Sequence, residues 1–126
     1  MTLPKRNRRK VTAAGIDFYW CKGARGDNGR GVASIQHISG KGSMLMIDPF
    51  GQIRGDIVPA AIEFAMQHGW KPLESGPPFW IAYTCIAEPT ASFVVRSATD
   101  GPFWRDPNRK QLEMQAWLDR MREMDR

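Results

Sequence analysis

Apolar and polar residues alternate in short runs along most of the chain, and a period of two is typical of half-buried β-strands. In the clearest run Ile16, Phe18 and Trp20 share one side of an extended chain, while the residues between them face the other side. Ala14 and Gly15 suit a two-residue hairpin turn before this run, because glycine accepts a positive φ. The pattern predicts strands at about 9–13, 16–22, 32–38, 43–48, 79–86 and 92–96.

Two segments show the helical spacing of apolar residues instead. One helix is predicted at about 57–68, and Gly69 fits the left-handed residue that ends a helix. The other is predicted at about 107–124, because Asp106 can cap it and Pro107 suits its first position. Both helices therefore have recognisable boundaries in the sequence.

Short strands with two well-separated helices predict an α+β fold. We expect an antiparallel sheet of five to six strands in the order hairpin, hairpin, helix, hairpin. A basic disordered arm at 1–9 would precede a single domain at 10–126. The chain has 126 residues, of which 42% are hydrophobic and 25% charged, as in ordinary globular domains. There is no apolar run of 18 residues and no secretory signal pattern, so we expect a cytoplasmic protein that does not enter a membrane.

The net charge of +5 is concentrated at the start of the chain. Five of the 18 basic residues lie in the first ten positions, which contain no acid, so the remaining 116 residues carry 13 basic and 13 acidic side chains. Such an arm can bind nucleic-acid phosphates through counterion release, or it can be only a solvated terminus. The residues that would carry the nucleic-acid alternative are Lys5, Arg6, Arg8, Arg9 and Lys10.

The segment 11–20 has the hairpin pattern Val-x-Ala-x-Gly-x-x-Phe-x-Trp. It resembles a Val-x-Val-x-Gly-x-x-Tyr-x-Trp hairpin that opens a family of small uncharacterised bacterial proteins, with Ala13 in place of the usual branched residue. In that family a helix that begins near a proline ends in Gly-Trp-x-Pro, followed by Gly-x-Pro-Phe. Here Pro59 and the segments 69–72 and 76–79 take these places. The resemblance spans about residues 11–81 and implies an architecture; it carries no catalytic residues over.

Signatures of catalysis and metal binding are sparse. Cys21, Cys85, His37 and His68 are the only soft metal ligands, and none of them form the close pairs of a structural zinc site. A cysteine could still meet His37 in space, so an enzyme with a dispersed Cys/His site is a second alternative. Both cysteines stand in apolar strands, where a thiol is less reactive. The sequence predicts no catalytic residue, cofactor or metal, and it favours a non-enzymatic role.

Two further patterns resemble catalytic or phosphate sites and have structural explanations. Asp48 and Asp56 bracket the loop before the first helix and could converge as paired carboxylates. We expect instead that Asp56 caps the helix and that Asp48 begins a turn before Pro49. The segment 40–43 lacks the spacing of a phosphate loop and suits a hairpin turn.

Aromatic and methionine side chains supply the candidate partner-binding residues, which are Trp70, Trp80, Trp104, Met114, Trp117 and Met121. The first three lie among prolines and could line a groove for an extended peptide, or they could be core. The last three follow helical spacing, and methionine suits adaptable contact surfaces. The sequence therefore favours a small interaction protein that binds another protein or itself, for instance as a homodimer through its C-terminal helix.

Overall fold

One mixed sheet and two helices make up the computed structural model, which describes residues 8–25, 31–49, 55–84, 92–101 and 103–124. The strands are β1 (Arg9–Ala13), β2 (Ile16–Arg25), β3 (Gly31–His37), β4 (Leu45–Pro49), β5 (Phe79–Thr84) and β6 (Ser92–Arg96). The helices are α1 (Val58–Gln67) and α2 (Arg109–Met124). The predicted α+β class and the order of hairpins and helices are confirmed.

The six strands lie side by side in chain order. Every neighbouring pair is antiparallel except β4 and β5, which are parallel. The exception follows from α1, because the helix carries the chain from the end of β4 back to the end of the sheet at which β4 began, so that β5 runs in the same direction. The sheet is thus mostly antiparallel, and α1 is the crossover.

The turn between β1 and β2 forms as its sequence predicts. Ala14 has φ +52° and Gly15 has φ +74°, and Ala13 pairs with Ile16. Two consecutive positive φ angles define the tight turn that matches the twist of a hairpin. Across the same hairpin the Lys10 ammonium lies 3.6 Å from the Asp17 carboxylate.

The start of α1 differs from expectation, whereas its end does not. A 3₁₀ turn, Gly55–Ile57, leads into the helix, and Ile57 occupies the N-cap position without a side-chain capping bond. Asp56 therefore is not the cap. At the other end Gly69 has φ +109°, and the amide of Trp70 donates to the carbonyl of Ala65 at 2.9 Å.

The main core lies between α1 and one face of the sheet, called here the inner face. Side chains at alternate positions of every strand meet the apolar side of the helix. The fully buried members include Phe18, Ile35, Leu45, Ile47, Val58, Ala61, Ile62, Ala65 and Ile81. The opposite, outer face carries the intervening side chains, among them Tyr19, Cys21, Met46 and Trp80.

The connection between β6 and α2 reaches over the sheet to β4. Phe103 is fully buried, and its amide donates to Asp48 Oδ2 at 2.6 Å. Asp48 therefore lies within a strand and accepts a long-range hydrogen bond, so its expected role in a turn is wrong. Arg96 holds the same connection, because its guanidinium lies 2.7 Å from the Asp106 carboxylate and 5.1 Å from the Phe103 ring centroid.

Asp106 caps the last helical segment as the sequence indicates. Its Oδ1 accepts from the amide of Asn108 at 2.8 Å, and its carbonyl accepts from the amide of Arg109 at 3.0 Å. The side-chain bond from Arg96 and the backbone bond from Asn108 lower the pKa of this carboxyl below its ordinary value of 3.8. The regular α-helix begins at Arg109, two residues after the expected start.

Candidate functional site

One side of α2 carries four apolar side chains that the domain does not cover completely. Met114 is 47% exposed and Leu118 is 38% exposed, while Trp117 and Met121 are half-buried. We call these four residues the α2 strip. Among the side chains of this helix that the structure describes, Ala116 is the buried one, and it faces the rest of the domain. Because each residue turns the helix by about 100°, the strip lies roughly 100–200° around the axis from Ala116.

A groove separates the other side of α2 from α1 and β6. It has a volume of about 310 Å³ and is lined by apolar groups that include Phe64, Phe93 and Ala116. Two of its three acidic lining groups already have partners, since Asp119 accepts from Gln115 at 2.8 Å and Glu123 from Arg120 at 3.2 Å, and the third is Glu63. The strip points away from this groove, so the two surfaces are separate.

His68 borders the groove and is held in one orientation. Its ring stacks on Phe64 with centroids 4.0 Å apart, and its Nδ1 lies 2.8 Å from the Phe64 carbonyl. A carbonyl oxygen only accepts, so Nδ1 carries the hydrogen. Both contacts come from one turn of the same helix and explain the position of the ring without a ligand.

Trp70 and Trp80, for which the sequence allows either a peptide groove or core packing, lie on opposite faces of the sheet. Trp70 is 3% exposed in the main core, 5.8 Å from Phe18 between ring centroids, and its indole N–H donates to Ser43 Oγ at 3.1 Å. Trp80 is half-buried on the outer face. The side chain of Trp104 lies outside the described part of the structure. Met114, Trp117 and Met121 are the predicted residues that come together.

Cys21 and His37 also occupy opposite faces. The register pairs Cys21 with Ser34 on the outer face and His37 with Phe18 on the inner face, so the two side chains do not form a catalytic pair. Burial raises the pKa of the Cys21 thiol above its ordinary value of 9.0. Cys85 lies outside the described residues. Within the described ranges, no group of three His, Cys, Asp or Glu residues could hold a metal ion.

The far end of the β1–β2 hairpin from its turn is basic. Arg8, Arg9 and Lys22 line a pocket of about 370 Å³ together with Trp20 and Cys21. Arg8 and Arg9 belong to the expected basic arm, and the structure shows Arg9 as the first residue of β1. Residues 1–7, with Lys5 and Arg6, lie outside the described part. Lys22 is the member of this pocket that the charge pattern of the sequence did not single out.

Comparisons with family models, with curated proteins and with solved structures found no match to this chain. The resemblance of residues 11–81 to a bacterial family therefore stays a prediction. In the part of the chain that the structure describes, neither helix is long and apolar enough to cross a membrane.

Proposed function

We propose that this chain is a non-enzymatic protein-interaction protein of the bacterial cytoplasm that associates with a second copy of itself through the α2 strip. The observation that supports this proposal most is the exposure of Met114 and Leu118 on a helix whose other side packs against its own domain. Large apolar side chains that adjoin one another on a surface are typical of contact sites. Methionine adapts its shape to such a contact more readily than branched residues do.

The order of residues in the strip favours a second copy as the partner. A two-fold axis brings the same patch of both subunits together, so the patch must complement itself. The positions 114, 117, 118 and 121 are symmetric about the midpoint between 117 and 118. In an antiparallel pair of α2 helices Met114 would then oppose Met121 of the other copy, and Trp117 would oppose Leu118. Every apolar residue of the strip thus meets an apolar residue.

The size of the strip indicates a dimer that forms reversibly with concentration. A helix of 16 residues is about 24 Å long. A standard stable interface buries about 800 Å² on each partner, and a single helical strip provides less than that. We therefore expect association in the micromolar range or weaker. A tight obligate dimer would need further surface.

Substitution of an exposed residue tests the proposal without disturbing the core. Leu118→Glu places a charge at the centre of the strip, where a second copy would desolvate it. Leu73→Glu is the matched control, because it makes the same chemical change at a leucine that is 67% exposed and far from α2 in sequence. Sedimentation equilibrium over a concentration series then measures the mass of each variant, and circular dichroism confirms that each remains folded.

We expect the wild-type protein to approach twice its 14.3 kDa chain mass as concentration rises. Leu118→Glu should stay at the monomer mass, while Leu73→Glu should follow the wild type. A wild type that is monomeric throughout the series contradicts the proposal. The proposal is also contradicted if Leu118→Glu dimerises as strongly as the wild type, because the dimer contact would then lie outside the α2 strip.

A further inference from the structure

The basic pocket at the end of the β1–β2 hairpin combines three cationic side chains from β1, β2 and the residue before β1. Arg9 pairs with Trp20 in the register, Arg8 directly precedes Arg9, and Lys22 follows Trp20 by two residues. All three line the pocket of about 370 Å³ with Trp20 and Cys21. The described residues that line the pocket therefore lie in the β1–β2 hairpin or directly beside it.

The two arginines are oriented by aromatic rings on both faces of β2. The guanidinium of Arg8 lies 3.9 Å from the ring centroid of Tyr19, and that of Arg9 lies 5.6 Å from the ring centroid of Trp20. Stacking uses the face of a guanidinium and leaves its N–H donors in the plane available. Those donors match the geometry of phosphate oxygens. The side chains are thus positioned before a ligand arrives.

The charge of this pocket is not balanced within the described residues. Lys10 has Asp17 at 3.6 Å, whereas Arg8, Arg9 and Lys22 have no carboxylate partner among the residues that the structure describes. The described residues that line the pocket include no acidic side chain either. Three cations without an acid attract an anion, and two of them present fork-shaped donors.

We propose that this pocket binds the phosphodiester backbone of single-stranded nucleic acid without sequence preference. Three contacts in a pocket of this size suit one strand, whose successive phosphates are each contacted by one cation. Trp20 is the aromatic residue among the described lining residues and it is buried, so these residues offer no open aromatic face on which a base could be recognised. Affinity should therefore come from charge. This site is separate from the α2 strip, and its test does not depend on dimerisation.

The number of contacts sets the expected salt dependence. Each phosphate contact with a single strand contributes about −0.7 to the slope of log K against log salt, so three contacts give a slope of about −2. Removal of one cation should reduce the slope by about 0.7 and weaken binding roughly eightfold at about 50 mM salt. The loss should shrink as salt rises, because all the variants approach the same residual affinity.

Lys22 provides the sharpest test because it belongs to the pocket but not to the basic start of the chain. Binding of a fluorescein-labelled oligothymidylate of about 12 nucleotides is measured by fluorescence anisotropy over a range of salt. The variants are Lys22→Gln and Arg9→Gln. The control is Lys41→Gln, which removes the same charge at an exposed turn between β3 and β4. Competition with inorganic phosphate, duplex DNA and polyglutamate separates the sources of negative charge.

We expect both pocket variants to lose roughly eightfold in affinity at about 50 mM salt, while Lys41→Gln binds as the wild type does. Oligothymidylate should compete better than the other three anions. The proposal is overturned if Lys22→Gln binds as the wild type does, or if Lys41→Gln loses as much, since net charge would then be the cause. It is also overturned if replacing Lys5 and Arg6 by glutamine abolishes binding while the pocket variants do not. Equal competition by polyglutamate would overturn the choice of nucleic acid.

Discussion

Replacement of Gly42 by alanine should destabilise the protein far more than the same change at Gly15. Both glycines have a left-handed φ, +91° at Gly42 and +74° at Gly15. Alanine in that region costs about 1–2 kcal/mol. A Cβ at Gly15 would meet nothing within 4 Å, whereas a Cβ at Gly42 would lie 2.0 Å from the backbone carbonyl oxygen of Pro72. The difference between the two variants therefore measures this close approach alone.

The segment that contains Gly42 and the segment that contains Pro72 cannot move apart without breaking hydrogen bonds. The amide of Ser43 donates to the carbonyl of Glu74 at 2.8 Å, and the indole of Trp70 donates to Ser43 Oγ at 3.1 Å. Each such bond contributes on the order of 1 kcal/mol. Movement that relieves the clash should weaken both. We expect Gly42→Ala to cost about 3–5 kcal/mol in total, against about 1–2 for Gly15→Ala.

Urea denaturation followed by tryptophan fluorescence measures both costs. With a mid-range slope of about 2 kcal/mol per molar urea, the midpoint of Gly42→Ala should fall about 1 M below that of Gly15→Ala. The slope itself should not change. Ser43→Ala gives a third point, because it removes the acceptor for Trp70 without a clash and should cost about 1 kcal/mol. Equal midpoints for the two glycine variants would refute the reasoning.

Three further predictions follow from the contacts around α2 and β2. The folded-state pKa of Asp106 lies below its unfolded value, so its pairing with Arg96 stabilises the fold above about pH 4, and this contribution is lost as pH falls. In urea titrations from pH 7 to 3, the free energy of unfolding of Asp106→Asn should be lower than that of the wild type at pH 7. The difference between the two proteins should disappear at pH 3, and a difference that does not change with pH would contradict the prediction. Phe103→Ala should lower the free energy of unfolding by about 3–5 kcal/mol, because the ring is fully buried. A urea midpoint within error of the wild-type value would contradict the buried position of the ring. Iodoacetamide at neutral pH should modify Cys21 only after unfolding, because burial raises the pKa of its thiol. Peptide mass spectrometry measures the modification, and rapid labelling of Cys21 in the native protein would contradict the prediction.

The parts of the fold that depend on local signals could be predicted from the sequence. The turn at Ala14 and Gly15 and the helix end at Gly69 are examples, because glycine and its immediate neighbours decide the backbone there. The bond from the Phe103 amide to Asp48 joins residues 55 positions apart. From the sequence, Asp48 is interpreted most simply as a turn residue before Pro49. Its bond to the Phe103 amide depends on the three-dimensional path of the chain, which local sequence signals do not indicate.

The candidate site could be predicted in part for the same reason. Helical spacing brings Met114, Trp117 and Met121 together, whatever the rest of the fold does. Which tryptophan is core and which is surface depends on the face of the sheet, and composition does not contain that information. Trp70 is buried by the chain reversal after Gly69, whereas Trp80 is half-buried on the outer face of β5. Lys22 was missed because its charge matters only beside Arg8 and Arg9.

The arrangement of six strands in chain order has a consequence for how the molecule would be used. It places β1 and β6 at opposite borders of the sheet, roughly 24 Å apart at ordinary strand spacing. Two copies joined by α2, beside β6, would hold their β1 borders at the outer limits of the pair. A bivalent particle of this kind gains avidity for a long polyanion that reaches both borders, and gains none for a short one. The dimer would then bind long polyanions more tightly than short ones of the same composition.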